Sequence, residues 1–351
     1  MDKTQLMICS PLEADLVEKI RSVDRQRLEV FYDPDLYPPL RYACDHKGVS
    51  TFKRTEEQTA RWRAGLEKAE ILLDCPIPKE LPGELVHLKR AKWVQFTSSG
   101  IGEFVKRSGL GLNDPNLILT TARGVHSGPL AEWSFMALLM YFKKFRFLEA
   151  EQKAHRWERY CDEEVAGRTL LTIGAGDLAR GVAVVARALG MRVIAVTRSP
   201  DKPRAHADLF DEIHGVPDLH KLLPQADAIV CTVPHTNETA NMLDRTAISL
   251  MRPGVAFINT GRGSTIDEVA MIEALRNGKM GFAAIDVAQI EPLPTSSPLW
   301  DMPNVMINPH SASTVTTENA KITDIFCKNL ELYLRGDAAS MSNIFDKQLL
   351  Y

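Results

Sequence analysis

The chain is poor in the features that mark several classes of protein. Its 351 residues carry six cysteines, Cys9, Cys44, Cys75, Cys161, Cys231 and Cys327. They are scattered, with no C-x-x-C pair and no metal-ligand spacing, so the expectation is reduced and mostly buried thiols. Cys44-Asp45-His46 is a cluster with ligand chemistry, but three adjacent side chains do not readily converge on one ion, and no metal is expected. Long apolar runs are missing too. The longest apolar-rich stretch, Trp133 to Phe142, is too short to span a bilayer, and the opening MDKTQLMICS has no signal-type apolar core. The expectation is therefore a cytoplasmic protein with no membrane segment. Excess charge of one sign is also absent: 42 Lys and Arg face 45 Asp and Glu, a net −3. That balance makes no electrostatic case for nucleic acid or an anionic membrane.

What is present is ordinary globular composition, 45% hydrophobic and 25% charged, over a length that suits two domains. The most informative stretch is Arg168 to Pro200. Thr169 to Ile173 reads as a buried strand, Gly174 and Gly176 as a tight turn, Leu178 to Leu189 as a helix ended by Gly190, and Val193 to Val196 as a second strand. Val182, Val185, Ala186 and Leu189 fall on one stripe of that helix. The first glycine lets the chain reverse, and the second lets backbone approach a pyrophosphate. Ala179 supplies the third small residue for close packing of helix on strand. Phosphates would face the helix N-terminus, where Asp177 and Leu178 open the first turn. This is the first half of a dinucleotide-binding unit. NAD-preferring sites usually place an acid at the end of the second strand. Here Thr197, Arg198 and Ser199 stand there, followed by Lys202. Without the acid nothing repels a 2′-phosphate, and Arg198 can pair with one; NADP is the favoured cofactor, with NAD possible.

Around this unit the chain alternates. Leu6–Cys9, Leu28–Tyr32, Glu70–Asp74, Ala91 onward and Leu117–Thr121 read as strands, with helices over Glu13–Val23 and Thr55–Lys68 and a helix or loop over Leu81–Leu88. No glycine fingerprint follows the first strand. Ser98, Ser99, Gly100 and Ile101 form a small polar turn that either holds an anion on backbone N–H groups or is an ordinary turn. One long helix is expected from Pro129 to Leu148, apolar nearly all round in its middle and hence buried between domains or subunits. After Pro200, strands are expected at Ala228–Val233, Val255–Thr260, Phe282–Val287 and Val305–Ile307. A short helix covers Thr246–Met251, a second is capped by Asp267 and ends at Gly278, and a last one runs Thr316–Arg335. The fold class is α/β with parallel sheets, divided into residues 1–125 completed by 315–351, and 126–314.

Three strand ends carry candidates for chemistry: Arg262, Glu291 and His310. Reducing a 2-oxo acid needs a cation to hold the carboxylate and polarise the carbonyl, and an acid to protonate the forming alkoxide. Arginine supplies a permanent forked charge, histidine a titrating proton, and a neighbouring carboxylate would orient the ring. Singly, Glu291 before Pro292 reads as a turn residue and His310 after Pro309 as a cap.

The stretches KWVQFTSSGI, TARGVHSGPLAEW, TIGAGDLARGVA, TVPHTNET, INTGRGSTIDEVAMIEALRNGK, AAIDVAQIEPLPTSSPLW and INPHSAS, in this order, resemble the D-isomer-specific 2-hydroxyacid dehydrogenase family. They cover nearly all of residues 91–314, and the tail NIFDKQLLY also fits. The resemblance implies two Rossmann-like domains hinged about a cleft: a doubly wound parallel-sheet cofactor domain and a flavodoxin-like substrate domain to which the tail returns. It implies Arg262 as the substrate arginine, His310 as general acid/base and Glu291 as its partner. Ser99, Gly100 and Ile101 would hold substrate carboxylate, and Asp286 would meet the nicotinamide carboxamide. Val233, Pro234, Thr239 and Thr260 complete the expected cofactor contacts. A homodimer built around the long apolar helix is also implied, with a glyoxylate- or hydroxypyruvate-like 2-oxo acid as substrate. The sequence departs from the family at Thr197-Arg198, at Trp133, where a histidine or another aromatic is common, and over Tyr32–Arg63. No regulatory domain follows the tail in the sequence, so an allosteric phosphoglycerate dehydrogenase is not expected. The competing expectation is a dinucleotide-sensing, corepressor-like binding protein with little or no turnover.

Overall fold

The computed structural model describes residues 3–76, 83–204 and 206–350. The chain divides after His126 and again after Ser313 into two compact units, one formed by the N-terminal portion with residues from Thr314 onward, the other by Ser127–Ser313.

The first unit is built on a parallel sheet of β1 (Thr4–Ile8), β2 (Leu28–Phe31), β3 (Ile71–Leu73), β4 (Trp93–Gln95) and β5 (Ile118–Thr120), in the order β2-β1-β3-β4-β5. That is the flavodoxin-like order. Side chains alternate across a strand, so β1 sends Leu6 and Ile8 into one apolar layer and Met7 into the other. The first layer is closed by α1 (Ala14–Ser22), through Val17 and Ile20, and by the C-terminal helix Glu318–Leu334, through Ile322, Phe326 and Leu330. The second is closed by Trp62 and Leu66 of α2 (Glu56–Lys68) and Val105 of α3 (Gly102–Ser108). A capping box starts α2: Thr55 Oγ1 accepts from Gln58 N at 3.1 Å, and the Gln58 side chain accepts from Thr55 N at 2.9 Å. The tail lies along the edge strand, with Phe345 N donating to Leu119 O at 2.8 Å. Of the stretch expected as helix or loop at 81–88, Glu84–His87 is a 3-10 turn, and residues 81 and 82 lie outside the described residues.

The second unit has a seven-stranded parallel sheet: β6 (Thr169–Ile173), β7 (Arg192–Thr197), β8 (Glu212–Gly215), β9 (Ala228–Cys231), β10 (Val255–Asn259), β11 (Met280–Ile285) and β12 (Val305–Ile307). The order is β12-β11-β10-β9-β6-β7-β8, a doubly wound sheet whose strand order reverses between β6 and β9. Ligands of such sheets bind at that switch, beyond the carboxyl ends of the strands.

The single helix expected from Pro129 to Leu148 is two helices, α4 (Ser127–Phe142) and α5 (Phe145–Lys153). Lys144 takes a left-handed conformation, φ +51°, and Lys144 N donates to Tyr141 O, closing α4 in a tight last turn. The apolar middle of α4 is used inside its own unit. Phe135, Leu138 and Phe142 pack with Ala179, Val182, Ala183 and Ala186 of α6 (Asp177–Ala188), while Val185, Leu189 and Trp133 are only partly buried there. Gly181 permits this approach, since a Cβ on it would stand 2.7 Å from Ser127 O at the start of α4. The remaining helices are α7 (Leu219–Leu222), α8 (Arg245–Leu250) and α9 (Glu268–Arg276). Asp267 caps α9 by accepting from Ala270 N at 3.0 Å. Among the described residues no helix is long and apolar enough to cross a membrane.

Candidate active site

The glycine turn between β6 and α6 has the form that a phosphate needs. Gly174 adopts φ +110°, and a Cβ there would meet Thr232 Oγ1 at 2.5 Å. Gly176 is the N-cap of α6, and nothing lies within 4 Å of where its Cβ would be. Asp177 and Leu178 begin the helix, so its first-turn N–H groups and positive dipole end lie at this turn. These residues fit a dinucleotide pyrophosphate.

Thr197 ends β7, and Arg198 and Ser199 follow. Arg198 lies 3.9 Å from Glu238, in the loop after β9. The sequence reading missed Arg204. Its guanidinium donates to Thr197 Oγ1 at 3.3 Å, to Pro200 O at 3.1 Å, to Lys202 O at 2.8 Å and to Ser199 O, so the loop is wound around a fixed cation. No motif flags it, because its partners are three carbonyls of its own loop and the hydroxyl of Thr197 at the end of β7.

The loop after β9 is braced by side chains expected at the cofactor. Thr239 Oγ1 donates to Pro234 O at 2.7 Å and accepts from Thr236 N at 2.8 Å. Thr260 Oγ1 donates to the carbonyl of Cys231 at 3.2 Å. Val233 is partly buried and Pro234 exposed.

Arg262 follows β10 between two glycines that are each pressed on a neighbouring loop. A Cβ on Gly261 would lie 2.6 Å from Val233 O, and one on Gly263 would overlap the backbone of Ala288. The Arg262 carbonyl accepts from Thr265 Oγ1 at 2.7 Å and from Asn259 Nδ2 at 3.1 Å, and its Nη1 donates to Gly261 O at 2.7 Å. Gly263→Ala is therefore expected to cost about 1–3 kcal/mol by overpacking and to displace Arg262. Thermal unfolding and turnover check it; an unchanged midpoint with full activity would contradict the packing.

His310, beyond β12, and Glu291, beyond β11, form a pair: His310 Nδ1 lies 2.8 Å from Glu291 Oε2. Burial alone would raise the Glu291 pKa. The hydrogen bond with His310, the ring's charge, the Ala288 N–H and the Arg262 charge outweigh it, so the carboxyl titrates below its ordinary range. An ionised carboxylate only accepts, so Nδ1 carries a proton toward it, which leaves Nε2 for proton exchange. His310 is held at φ +53°, an unusual conformation for a residue with a Cβ. Asp286 supports it. The Asp286 carbonyl accepts from His310 N at 2.9 Å, and Oδ1 accepts from Ser311 N and Ala312 N, both at 2.9 Å. Burial pushes the Asp286 carboxyl up despite those bonds. The sheet thus sets Arg262, Glu291 and His310 at the carboxyl ends of three consecutive neighbours, β10, β11 and β12.

In the other unit, Ser99, Gly100 and Ile101 join β4 to α3, with Gly100 exposed and Ile101 buried. Ser99 Oγ lies 2.9 Å from His126 Nδ1. Among the described residues no group of three or more His, Cys, Asp or Glu is placed to hold a metal ion.

A doubly wound sheet with this turn, and an arginine with a carboxylate–histidine pair at adjoining strand ends, defines a dinucleotide-binding α/β architecture carrying acid–base groups. Comparison with known proteins gives the same class more sharply. Residues 135–312 match the family described as D-isomer specific 2-hydroxyacid dehydrogenase, NAD binding domain. D-3-phosphoglycerate dehydrogenase of Mycobacterium leprae is 34% identical over 314 residues, 85% of this chain and 57% of that protein. The chain thus spans little more than half the length of such curated relatives. The crystal structure of a D-isomer specific 2-hydroxyacid dehydrogenase family protein from Aeromonas salmonicida superposes with a TM-score of 0.79 at 26% identity, over 99% of this chain and 100% of that one. For an NADPH-dependent glyoxylate/hydroxypyruvate reductase of Sinorhizobium meliloti the TM-score is 0.76 at 22% identity, over 99% and 100% of the two chains, a likeness of fold. The chain belongs to the D-isomer specific 2-hydroxyacid dehydrogenase family.

Proposed function

We propose that this protein reduces small 2-oxo acids, of the size of glyoxylate or hydroxypyruvate, to the D-2-hydroxy acids, and that it favours NADPH over NADH. The carrying observation is the His310–Glu291 pair at 2.8 Å, at strand ends next to the one that bears Arg262. A bound nicotinamide dinucleotide supplies the hydride. Arg262 binds the substrate carboxylate through its fork and stabilises negative charge growing on the carbonyl oxygen. His310 delivers the proton from Nε2 to that oxygen, so that C=O becomes CH–OH, while Glu291 holds the ring through Nδ1. Asp286 keeps the His310 turn in place. The backbone N–H groups of the Ser99–Ile101 loop suit a carboxylate, and we assign residues 1–125 with 315–351 as the substrate domain and 126–314 as the dinucleotide domain. We place the protein in the cytoplasm, where buried thiols such as Cys75 and Cys231, pushed up in pKa by burial, stay inert.

The NADPH preference rests on the loop after β7, where no carboxylate stands among Thr197, Arg198 and Ser199 and Arg204 fixes the backbone. Arg198→Ala is expected to raise the KM for NADPH by about 10–100-fold, the worth of a charge-assisted phosphate contact, while the KM for NADH stays within about 2-fold. Steady-state kinetics with both cofactors test the preference; equal losses for the two would sink it.

A homodimer fits the exposed apolar side chains that follow α4. Phe145, Phe147, Leu148 and Tyr160 are each 38–42% exposed, and Trp157 is 99% exposed. The Phe147 and Tyr160 ring centroids lie 5.4 Å apart, and exposed apolar side chains gathered in one segment mark an interaction surface. Sedimentation is expected to show a dimer that Trp157→Ala weakens by about 10-fold or more, as for a buried aromatic anchor; a wild-type monomer would contradict it.

A further inference from the structure

The segment Tyr32–Arg63, where the sequence departs from the family pattern, closes a buried polar chain that ends on the Ser99–Ile101 loop. Ser99 Oγ lies 2.9 Å from His126 Nδ1, and His126 Nε2 lies 3.1 Å from Glu318 Oε1. His46 Nε2 stands 3.6 Å from the same Glu318 oxygen. The side chains of His46, His126 and Glu318 are 20%, 13% and 8% exposed, so water screens the chain little. Each residue of Cys44-Asp45-His46 has its own task in building it. Cys44, at φ +59°, points Sγ at Thr316 O, at 3.7 Å, just before the C-terminal helix. Asp45 accepts from Arg41 Nε at 2.7 Å and from Lys47 N at 3.1 Å, folding the segment on itself. His46 is left facing Glu318, the first residue of that helix.

Burial alone would raise the Glu318 pKa, but the contacts and charges of His126 and His46 overcome it and hold the carboxyl at about 2. Burial works against a charged His46, yet the contact with Glu318 and the carboxylates of Asp74 and Asp45 raise its pKa on balance. An ionised Glu318 accepts from His126 Nε2–H, which leaves Nδ1 for Ser99. A hydroxyl both donates and accepts, so the Ser99 tie survives either protonation state of the ring. A second tie holds the same loop: Ala122 N donates to Ser98 O at 3.1 Å. Ser98 and Ser99 are thus both fastened to the chain leaving β5.

We propose that His126 and Glu318 are positioning residues that act through Ser99 to hold the loop Ser99–Ile101 ready for the substrate carboxylate, with His46 bracing Glu318 from behind. The proposal rests on the reading above that this loop meets the substrate. Its effect is on substrate binding, because the chain of contacts ends on Ser99 of that loop. It also accounts for the divergent segment, whose Cys-Asp-His run serves as a bracket for Glu318.

The test is a double-mutant cycle on the full chain loaded with NADPH and glyoxylate. Ser99→Ala and His126→Ala are each expected to raise the KM for glyoxylate about 10-fold, with kcat and the NADPH dissociation constant within about 2-fold. The double variant should be no worse than the more affected single, since one tie is lost either way. His126→Asn, which keeps a polar atom near the Nδ1 position, should recover most of the loss, and covers the case of an alanine variant that does not fold. Additive effects in the cycle, an unchanged KM in His126→Ala, or losses of kcat and cofactor affinity equal to the loss in KM would overturn the proposal. If the wild type turns over no 2-oxo acid, the functional reading fails by itself. The same cycle is then read as the dissociation constant of oxamate from the NADPH complex, by nicotinamide fluorescence, with the same non-additivity required.

Discussion

His310→Ala is expected to lower kcat for reduction by about 10²–10⁴-fold, the range of a lost general acid, with the NADPH dissociation constant nearly unchanged. The expectation follows from how the ring is held. Asp286 binds three successive backbone N–H groups, of His310, Ser311 and Ala312. Glu291 takes Nδ1. Removing the imidazole therefore removes the proposed proton donor and leaves the turn beneath it in place, so a chemical defect without a binding defect is the expected signature. Glu291→Gln should be milder, about 10-fold in kcat, because an amide keeps a hydrogen bond and loses only the charge. The acid side of the profile is fixed by the depressed pKa of Glu291. A carboxyl whose pKa is lowered stays ionised as the pH falls, so the pair should remain intact until the pH drops below the ordinary glutamate value of about 4.3. Single-turnover rates across pH check both points, and a His310→Ala enzyme with near-normal turnover would contradict the assignment.

Arg262→Lys is expected to lower kcat/KM for the 2-oxo acid by about 10²–10³-fold, even though the charge is kept. The reason is geometric. Gly261 and Gly263 pin the backbone on both sides of Arg262, and Nη1 is already engaged by Gly261 O. The substrate must meet the rest of a planar fork whose position the backbone dictates. An ammonium at the end of a flexible stem offers no second parallel donor and no matching plane. The loss should appear in both KM and kcat, since in the proposed mechanism one group holds the carboxylate and the growing oxyanion, while NADPH affinity stays within about 2-fold. An equal loss of cofactor affinity would mean that Arg262 serves the dinucleotide instead.

How much of this was legible before the structure depended on how local each signal was. The β6–turn–α6–β7 unit was readable because strand, glycines and helix are contiguous and each has its own pattern. Arg262, Glu291 and His310 were readable as strand-end residues once the strands were. The edge strand β8 was not: EIHG is four residues long, half-buried throughout, and so lacks both an apolar run and an alternation. The break between α4 and α5 was hidden because Lys144 enters the left-handed region with no glycine or proline to announce it. Arg204 was invisible since its bonds reach no farther than its own loop and the Thr197 hydroxyl that ends β7. The His126–Glu318 contact joins residues 192 apart, and pairing at that separation leaves no trace in a single sequence.

The most direct measurement of the central claim mixes the protein with NADPH and a series of 2-oxo acids, glyoxylate, hydroxypyruvate, pyruvate and bulkier homologues, and follows nicotinamide absorbance. The account predicts oxidation of NADPH with the small acids, falling as the side chain grows, slower with NADH, and yielding the D-hydroxy acid. Tight cofactor binding with no turnover on any member of the series would contradict it, and would point to a protein that senses the dinucleotide rather than spending it.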